Sequence, residues 1–483
     1  MHKLKTPVLV FAITALLSGC AIGPDFARPD TALPEQYGAE GNIPVAAEAK
    51  INAEWWTLFG DATLDQLVEQ ALANNQDLQA AVARMEAAAA AAREAGADYF
   101  PGVDLAAGAS RTRTSGRLDT GSPAMRLNDR YAQLGINYEL DLWGRVRRSN
   151  EAARAEALAG RFSHDTVRQS LIAQVVATYL NLRVQDVEVL ATTRNLQSQT
   201  KTRDIILGRR DVGAASDLEY AQARAAQAAT SAQLSESLRQ RALTENLLAL
   251  LVGQPGNRLE PLADNAVPLP PLPPVGLPSD LLAARPDLRQ AEETLVAANA
   301  RIGVARSAYF PSIGLTGFLG SESARLADLF SAPAAIWSFG AGLAMPIFDA
   351  GRTGARVDQA TARQRETLAN YRKTVQNAFR EVRDALISLQ MYDREEADLL
   401  IQLTAAGDAL KLSNARYDVG YSGFLEVLDS QRTYNSAQLQ YLAARRNRLL
   451  ATVDLFKALG GGWQEDDAKT PQDDAATSSA KAD

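Results

Sequence analysis

The residue types that most often perform catalysis or bind metals are scarce in this sequence. It contains two histidines, His2 and His164, and one cysteine, Cys20. None of the three has a neighbour at the spacing of a metal site, or of a nucleophile with its general base. No phosphate-binding loop is present either. The sequence therefore argues against an enzyme, and it predicts no cofactor and no bound metal.

Cys20 stands at the end of a processing signal. Two lysines precede an apolar run at 8–17, which is too short to span a bilayer as a permanent helix. The run ends in Leu17-Ser18-Gly19-Cys20, which resembles a bacterial lipobox, where the cysteine is lipidated and becomes the first mature residue. We predict a signal peptide at 1–19 and acyl chains on Cys20, since several chains on one residue make a stable anchor. An ordinary signal peptide with a chance cysteine is the alternative.

Most of the remaining chain is a duplication. Tyr99-Phe100-Pro101 and Tyr309-Phe310-Pro311 precede similar alternating stretches at an offset of 210, and further along the offset is 207. The later matches are Gly144-Arg145 with Gly351-Arg352, Asp211-Val212-Gly213 with Asp418-Val419-Gly420, Leu218-Glu219 with Leu425-Glu426, and Gly253 with Gly460. Matches that keep register over such a span predict two copies of one supersecondary unit. We place the copies at 61–253 and 280–460.

Each copy is predicted to contain a helix, two strands, a very long helix, a glycine turn and another helix. The first copy opens with one continuous helix over 63–97, which ends before Pro101. Alternating apolar residues predict strands at 102–112, 131–142, 312–320 and 336–348, a pattern that fits membrane strands and half-buried soluble strands equally well. Proline-free helical stretches follow at 145–210 and 352–417, each about 100 Å long, and shorter helices lie at 216–251 and 424–459.

Four strands cannot close a membrane barrel. Single-chain barrels begin at about eight strands, and lipid does not tolerate an open sheet edge. Either the strands form a soluble sheet, or several chains combine their strands into one barrel, and three chains would supply twelve strands.

Apolar residues of the first long helix follow a 4-3-4 spacing close to that of coiled coils. A generic soluble coiled coil is the alternative, but it gives the hairpins and the lipid anchor no common purpose.

The segments outside the copies have distinct compositions. Residues 20–60 predict an extended N-terminal arm that ends at Trp55 and Trp56, which we interpret as buried packing residues. Dense prolines predict a linker at 254–279, and the polar, alanine-rich stretch 461–483 is predicted to be disordered. The net charge of −7 provides no basic surface for a nucleic acid.

Short motifs spread along the chain carry a family resemblance. They are Cys20-Ala21-Ile22-Gly23-Pro24-Asp25-Phe26, Trp55-Trp56 with Phe59-Gly60-Asp61, Arg285-Pro286-Asp287, Arg416-Tyr417-Asp418-Val419-Gly420, and Leu425-Glu426-Val427-Leu428-Asp429 with Gln431-Arg432. Their order, spacing and duplication resemble the outer membrane factor family, the TolC-like exit ducts of bacterial efflux pumps, and within it the NodT-type lipoprotein branch.

The resemblance implies a fold that is mainly α with a membrane β-barrel. It implies a homotrimer with a twelve-stranded barrel, four strands per chain, on a long α-helical coiled-coil tunnel surrounded by a mixed α/β belt. The loops at 113–130 and 321–335 then face outside, and the turns at 211–213 and 418–420 lie at the end facing the cytoplasmic membrane. Ala21 lacks the aspartate that holds this lipoprotein class at the inner membrane, so the implied site is the Gram-negative outer membrane, with its lipid as a partner.

The two glycine turns are the predicted functional sites. Glycine reverses the chain readily because it adopts positive φ. In the family this tip contacts a periplasmic adaptor, which implies adaptor contact by Val212-Gly213-Ala214 and Val419-Gly420-Tyr421. Ala214 and Tyr421 depart from the family's Leu or Thr, which leaves the adaptor preference open.

Charged tip residues form a candidate gate. Some family members carry an aspartate shortly after the second tip glycine, where this chain has Ser422 and Gly423. Asp211 and Asp418 are the nearest substitutes, and a ring of them in a trimer would select against anions. A further hypothesis is that Arg209, Arg210 and Arg416 pair with these aspartates and hold the tip shut. The alternative is that both aspartates only cap or solvate the turns.

We therefore predict a passive outer-membrane efflux duct for small molecules such as drugs and toxic compounds. Its energy would come through the adaptor from an inner-membrane transporter, expected to be proton-driven. Three alternatives remain open at this stage: the same duct serving protein secretion, a lipid-anchored periplasmic coiled-coil scaffold without a pore, and an envelope hydrolase.

Overall fold

The computed structural model describes residues 21–30, 34, 37, 51–115, 117, 123–256, 258–261, 269–273 and 281–464. Cys20, the predicted signal peptide, most of the linker and most of the tail lie outside this range. The described helices are α1 (Ala62–Asn74), α2 (Gln76–Ala97), α3 (Arg145–Asp211), α4 (Asp217–Leu251), α5 (Leu281–Ala284), α6 (Pro286–Ser307), α7 (Arg352–Asp418) and α8 (Phe424–Ala458). In the described part of the chain, no helix combines the length and the apolar character that crossing a membrane requires.

Four strands form one antiparallel sheet in the order β1 (Gly102–Arg113), β2 (Arg126–Leu140), β3 (Ser312–Ser323) and β4 (Ala335–Ala344). β2 begins five residues earlier than predicted because its polar start pairs with the end of β1, where Arg113 lies opposite Arg126. β4 ends four residues earlier than predicted. Its partner strand begins only at Ser312, opposite Ala344, and Pro346 cannot donate to a ladder.

The single helix predicted over 63–97 is wrong, because the chain breaks between α1 and α2. Asn75 has an extended backbone, and its side chain donates to the Leu251 carbonyl at 2.9 Å while accepting from Leu78 N at 3.0 Å. The second copy breaks between α5 and α6, where Arg285 donates to the Ala458 carbonyl at 2.9 Å. In each copy the residue at the break thus caps the last carbonyl of the final helix.

The chain divides into two compact units. One comprises residues 21–30 together with Arg84–Arg161 and Gln290–Arg372, and it contains the whole sheet. Its helices pack closely through small side chains, since Ala152 and Ala155 of α3 lie buried against Ala297 and Ala300 of α6. The close approach that alanine-rich helices allow is therefore present in this unit.

The other unit contains the main apolar core, built from α1, the middle of α3 and the ends of α4 and α8. Trp55 and Trp56 are 2% and 5% exposed, and the Trp55 ring stacks on Phe456 with centroids 4.8 Å apart. Their interpretation as packing residues is confirmed.

A buried hydrogen bond connects α3 to the start of α1. The Tyr179 hydroxyl donates to Asp61, which also caps α1. Burial, together with this hydrogen bond, raises the pKa of Tyr179 to about 12. The hydroxyl therefore keeps its proton even at a pH at which a free tyrosine ionises.

Candidate functional site

The two predicted turns connect the longest helices to their successors. α3 and α7 contain 67 residues each, and both end in the same geometry. Gly213 donates to the Arg210 carbonyl at 2.9 Å, and Ala214 donates to the Arg209 carbonyl at 2.7 Å. In the second copy Gly420 and Tyr421 donate to the carbonyls of Tyr417 and Arg416 at 3.0 and 2.8 Å.

This pair of bonds is a Schellman motif, which requires a left-handed residue at the glycine position. Gly213 and Gly420 have φ values of 77° and 81°. The turns differ after the glycine. Ser216 forms a capping box with Glu219 at the start of α4, whereas Gly423, before α8, provides no side-chain cap. The tip is therefore fixed more firmly in the first copy than in the second.

An apolar cluster lies beneath the tip and joins the two copies. Ile206 and Ala223 come from the first copy, and Phe424 and Val427 come from the second, with Tyr220 and Tyr417 packed at its edge. Large apolar side chains at the tip itself are exposed instead, namely Val212 at 79%, Val419 at 67% and Tyr421 at 80%. These three residues belong to the set for which adaptor contact was predicted.

The charged tip residues form three separate pairs. Arg210 donates to Asp211 at 2.7 Å, and this hydrogen bond raises the pKa of the Arg210 guanidinium, which also lies 4.4 Å from the Tyr220 ring centre. Arg209 lies 3.9 Å from Asp418 and 5.1 Å from the centre of the Tyr417 ring. The Arg209–Asp418 contact is therefore the pair that connects the two copies.

Arg416 does not pair with a tip aspartate in this structure. Its Nε lies 3.1 Å from Glu426, because Glu426 occupies the first turn of α8 and faces back across the turn. Glu426, Tyr220 and Tyr417 were not predicted from the sequence as tip residues. Tyr220 and Glu426 each follow their arginine by ten residues, across the glycine turn, which a search for tip aspartates alone does not detect. Tyr417 is 208 residues from Arg209, so this contact has no local signal in the sequence.

The tip residues carry exposed charge and no recognisable metal-binding group within the described chain. The described residues contain no group of three or more histidine, cysteine or carboxylate side chains that could hold a metal ion. Both tip aspartates are largely exposed, at 58% for the Asp211 side chain and 71% for Asp418. The two aspartates place negative charge at the ends of the α3–α4 and α7–α8 hairpins.

Comparison with known proteins identifies the family. The model of the outer membrane efflux protein family matches residues 67–254 and 277–461. The outer membrane protein OprJ of Pseudomonas aeruginosa is 36% identical over 477 residues, which cover 96% of this chain and 98% of that protein. The toluene efflux pump outer membrane protein TtgF of Pseudomonas putida is 36% identical over 476 residues, 95% of this chain and 98% of its own length.

A solved structure agrees with the sequence relatives. The outer-membrane channel OprN superposes with a TM-score of 0.86 at 32% identity, covering 92% of this chain and all of that chain. This chain belongs to the outer membrane efflux protein family. The predicted family, the TolC-like fold and the outer-membrane efflux function are thereby confirmed, and the family is one of channels, not of enzymes.

Proposed function

We propose that three copies of this chain form one exit duct through the outer membrane. The observation that supports it is the sheet, in which β1 and β4 each leave an edge unpaired within the described chain. Lipid offers no partner for those backbone groups, so the edges must pair with neighbouring copies. Twelve strands from three copies would close the barrel. Chemical cross-linking of cells and the mass of the purified complex test this, and a monomer in the membrane would contradict it.

The duct would receive its cargo from a periplasmic adaptor and a proton-driven inner-membrane transporter. Exposed Val212, Val419 and Tyr421 offer the adaptor an apolar surface at the tip, and such exposed patches mark protein contact sites. We propose small toxic organic molecules as cargo, because TtgF, of nearly equal length, is named for toluene efflux. Export assays in cells that lack their own ducts, with and without the cognate adaptor and pump, test this.

We also propose that Cys20 carries the lipid anchor. The residues that follow it are held beside the strand ends, since Ile22 N donates to the Trp143 carbonyl at 3.1 Å and Asn299 donates to the Pro24 carbonyl at 2.8 Å. Trp143 itself donates to the Pro311 carbonyl at 2.7 Å, one residue before β3. Acyl chains on Cys20 would thus enter the membrane close to the barrel's periplasmic edge.

Lipidation makes a prediction about mass. The mature wild-type chain is expected to begin at Cys20 and to carry the added mass of its acyl chains, whereas Cys20→Ser is expected to lack that mass and to keep its signal peptide. Intact-mass spectrometry of membrane extracts measures both. Ser18→Ala is the control, because it changes the processing signal without removing the thiol, and it should remain acylated. A wild-type chain with a free Cys20 thiol would exclude the anchor.

The gate hypothesis makes a prediction about conductance. Asp418→Ala removes the contact with Arg209 that connects the two repeats of one chain. Single-channel conductance is then expected to rise about two- to fivefold, because an exposed ion pair contributes at most about 1 kcal/mol to keeping the tip closed. Asp211→Ala is the matched control. It removes the same charge from the tip but breaks only the contact with Arg210. Equal conductance in wild type and Asp418→Ala would discard the hypothesis.

A further inference from the structure

Charge is segregated between the two faces of the sheet. All arginines of the four strands share one face of the sheet, and they are Arg111, Arg113, Arg126 and Arg130. Every carboxylate lies on the other face, and these residues are Asp104, Asp129, Glu139 and Glu322. Alternation along strands assigns the faces, and contacts agree with it, since Asn137 donates to Asp104 at 3.1 Å.

The arginine face is also the apolar face. Leu105 lies opposite Leu134, Leu134 opposite Leu319, and Leu319 opposite Trp337, which gives one continuous apolar row across all four strands. Further rows of the same kind follow toward the helices, and Leu140 and Ile313 form the last apolar pair of β2 with β3. In the proposed barrel this face contacts lipid, because apolar side chains surround a membrane barrel on the outside.

The arginines begin where the apolar band ends. Arg130 precedes Leu140 by ten positions along β2, which corresponds to about 33 Å of strand and, at a tilt of roughly 40°, to about 25 Å along the membrane normal. Membrane barrels carry an apolar band of about 25 Å. Arg130 is therefore at the outer edge of the band, and the registered pair Arg113 and Arg126 lies beyond it, at the level of lipid headgroups.

These arginines are available to a ligand. Arg111, Arg113 and Arg126 are exposed. Arg130 is partly buried and donates to the Ala324 carbonyl in the loop after β3, which fixes its direction. No carboxylate shares this face of the described strands. Guanidinium groups bind phosphate through paired hydrogen bonds, and acyl chains would pack on the apolar rows directly below.

We propose that this surface binds the phosphorylated, multiply acylated glycolipid that forms the external leaflet of the outer membrane. The four arginines would contact its phosphates while its acyl chains cover the apolar rows around Leu105 and Leu134. The inference rests on the proposed duct, because only a closed barrel turns this face toward lipid. Its role would be to fix the depth of the barrel in the external leaflet.

Binding of purified lipopolysaccharide to the intact, detergent-solubilised trimer tests the proposal. A variant with all four arginines replaced by glutamine is expected to bind at least about tenfold more weakly, because several charge-assisted hydrogen bonds are lost. The matched control removes the same charge from exposed positions of α7, through Arg356→Gln, Arg363→Gln, Arg365→Gln and Arg372→Gln. Unchanged binding by the strand variant, or equal losses in both variants, would overturn the proposal.

A second measurement needs no variant. The wild-type trimer is expected to prefer lipid A that keeps its phosphates over dephosphorylated lipid A, again by about tenfold or more, and equal affinity would overturn the proposal. Failure of the duct proposal is distinguishable, because it would show as a wild-type protein that forms no trimer and no conducting pore. A conducting trimer that ignores the phosphates would refute the glycolipid site alone.

Discussion

Gly460→Ala is expected to destabilise this protein by about 3–5 kcal/mol, through a left-handed backbone and a steric clash combined. Gly460 has a φ of 95°. A Cβ at this position would lie 2.1 Å from the Ala284 carbonyl oxygen, a backbone atom at the end of α5 that cannot rotate away. The loss is measured as a lower temperature at which the purified protein loses its helical circular dichroism.

Gly420→Ala is the matched control for this effect. Gly460 ends α8 with the bond pattern that Gly420 uses to end α7, and the Gly420 φ of 81° is similar. A Cβ on Gly420 would meet no atom within 4 Å. Only the left-handed backbone cost of about 1–2 kcal/mol applies there. Equal melting temperatures for the two variants would show that the contact with Ala284 does not decide the outcome.

Asp186→Asn is the second substitution expected to have a large effect. The Asp186 side chain is fully buried and pairs with Arg241 at 2.6 Å and with Arg183 at 3.2 Å. Neutralising it removes the carboxylate that the poorly exposed Arg183 and Arg241 share. Of its carboxylate contacts, Arg241 then keeps the longer one, to Glu245 at 3.4 Å. Removing one partner from a buried ion pair costs about 3–5 kcal/mol. A fall in the melting temperature is therefore expected.

This ionic cluster also holds the first part of the linker between the two repeats. Arg183 donates to the Glu260 carbonyl at 2.9 Å, and Arg241 donates to the Leu259 carbonyl at 3.0 Å. Leu259 N in turn donates to Glu245 at 3.0 Å. Loss of Asp186 should therefore expose residues 258–261 to protease, which limited proteolysis with mass spectrometry detects. A variant that keeps both its melting temperature and its protease resistance would refute the role of the cluster.

The duplication provides a control at the equivalent position. Asp393 lies 207 residues after Asp186 and pairs with Arg448 at 2.5 Å, as Asp186 pairs with Arg241, but its side chain is 58% exposed. Arg448 also keeps Glu396 at 2.9 Å when Asp393 is neutralised. Asp393→Asn is thus expected to cost at most about 1 kcal/mol.

Much of the fold could be predicted because its determinants are local. Absence of proline over 145–210 and the glycines at 213 and 420 were sufficient to locate the long helices and their turns. The breaks at Asn75 and Arg285 could not be predicted in this way. Their partners, Leu251 and Ala458, are 176 and 173 residues distant in sequence, and the two copies use different side chains for the same bond.

The candidate site was predictable only in part for the same reason. Sequence matching between the copies located both aspartates and both glycines, because the motif is repeated. It could not show that Asp211 pairs within its own copy while Asp418 pairs with Arg209 of the other. That difference depends on where α3 and α7 end relative to each other, which long-range packing decides.

Single-channel recording of the purified protein in planar bilayers, with the mass of the complex measured on the same sample, tests whether the chain forms a trimeric duct. We expect a trimer that inserts and shows a small conductance with a preference for cations, since Asp211 and Asp418 would each repeat three times around the tip. A monomer that never inserts into the bilayer would contradict the account.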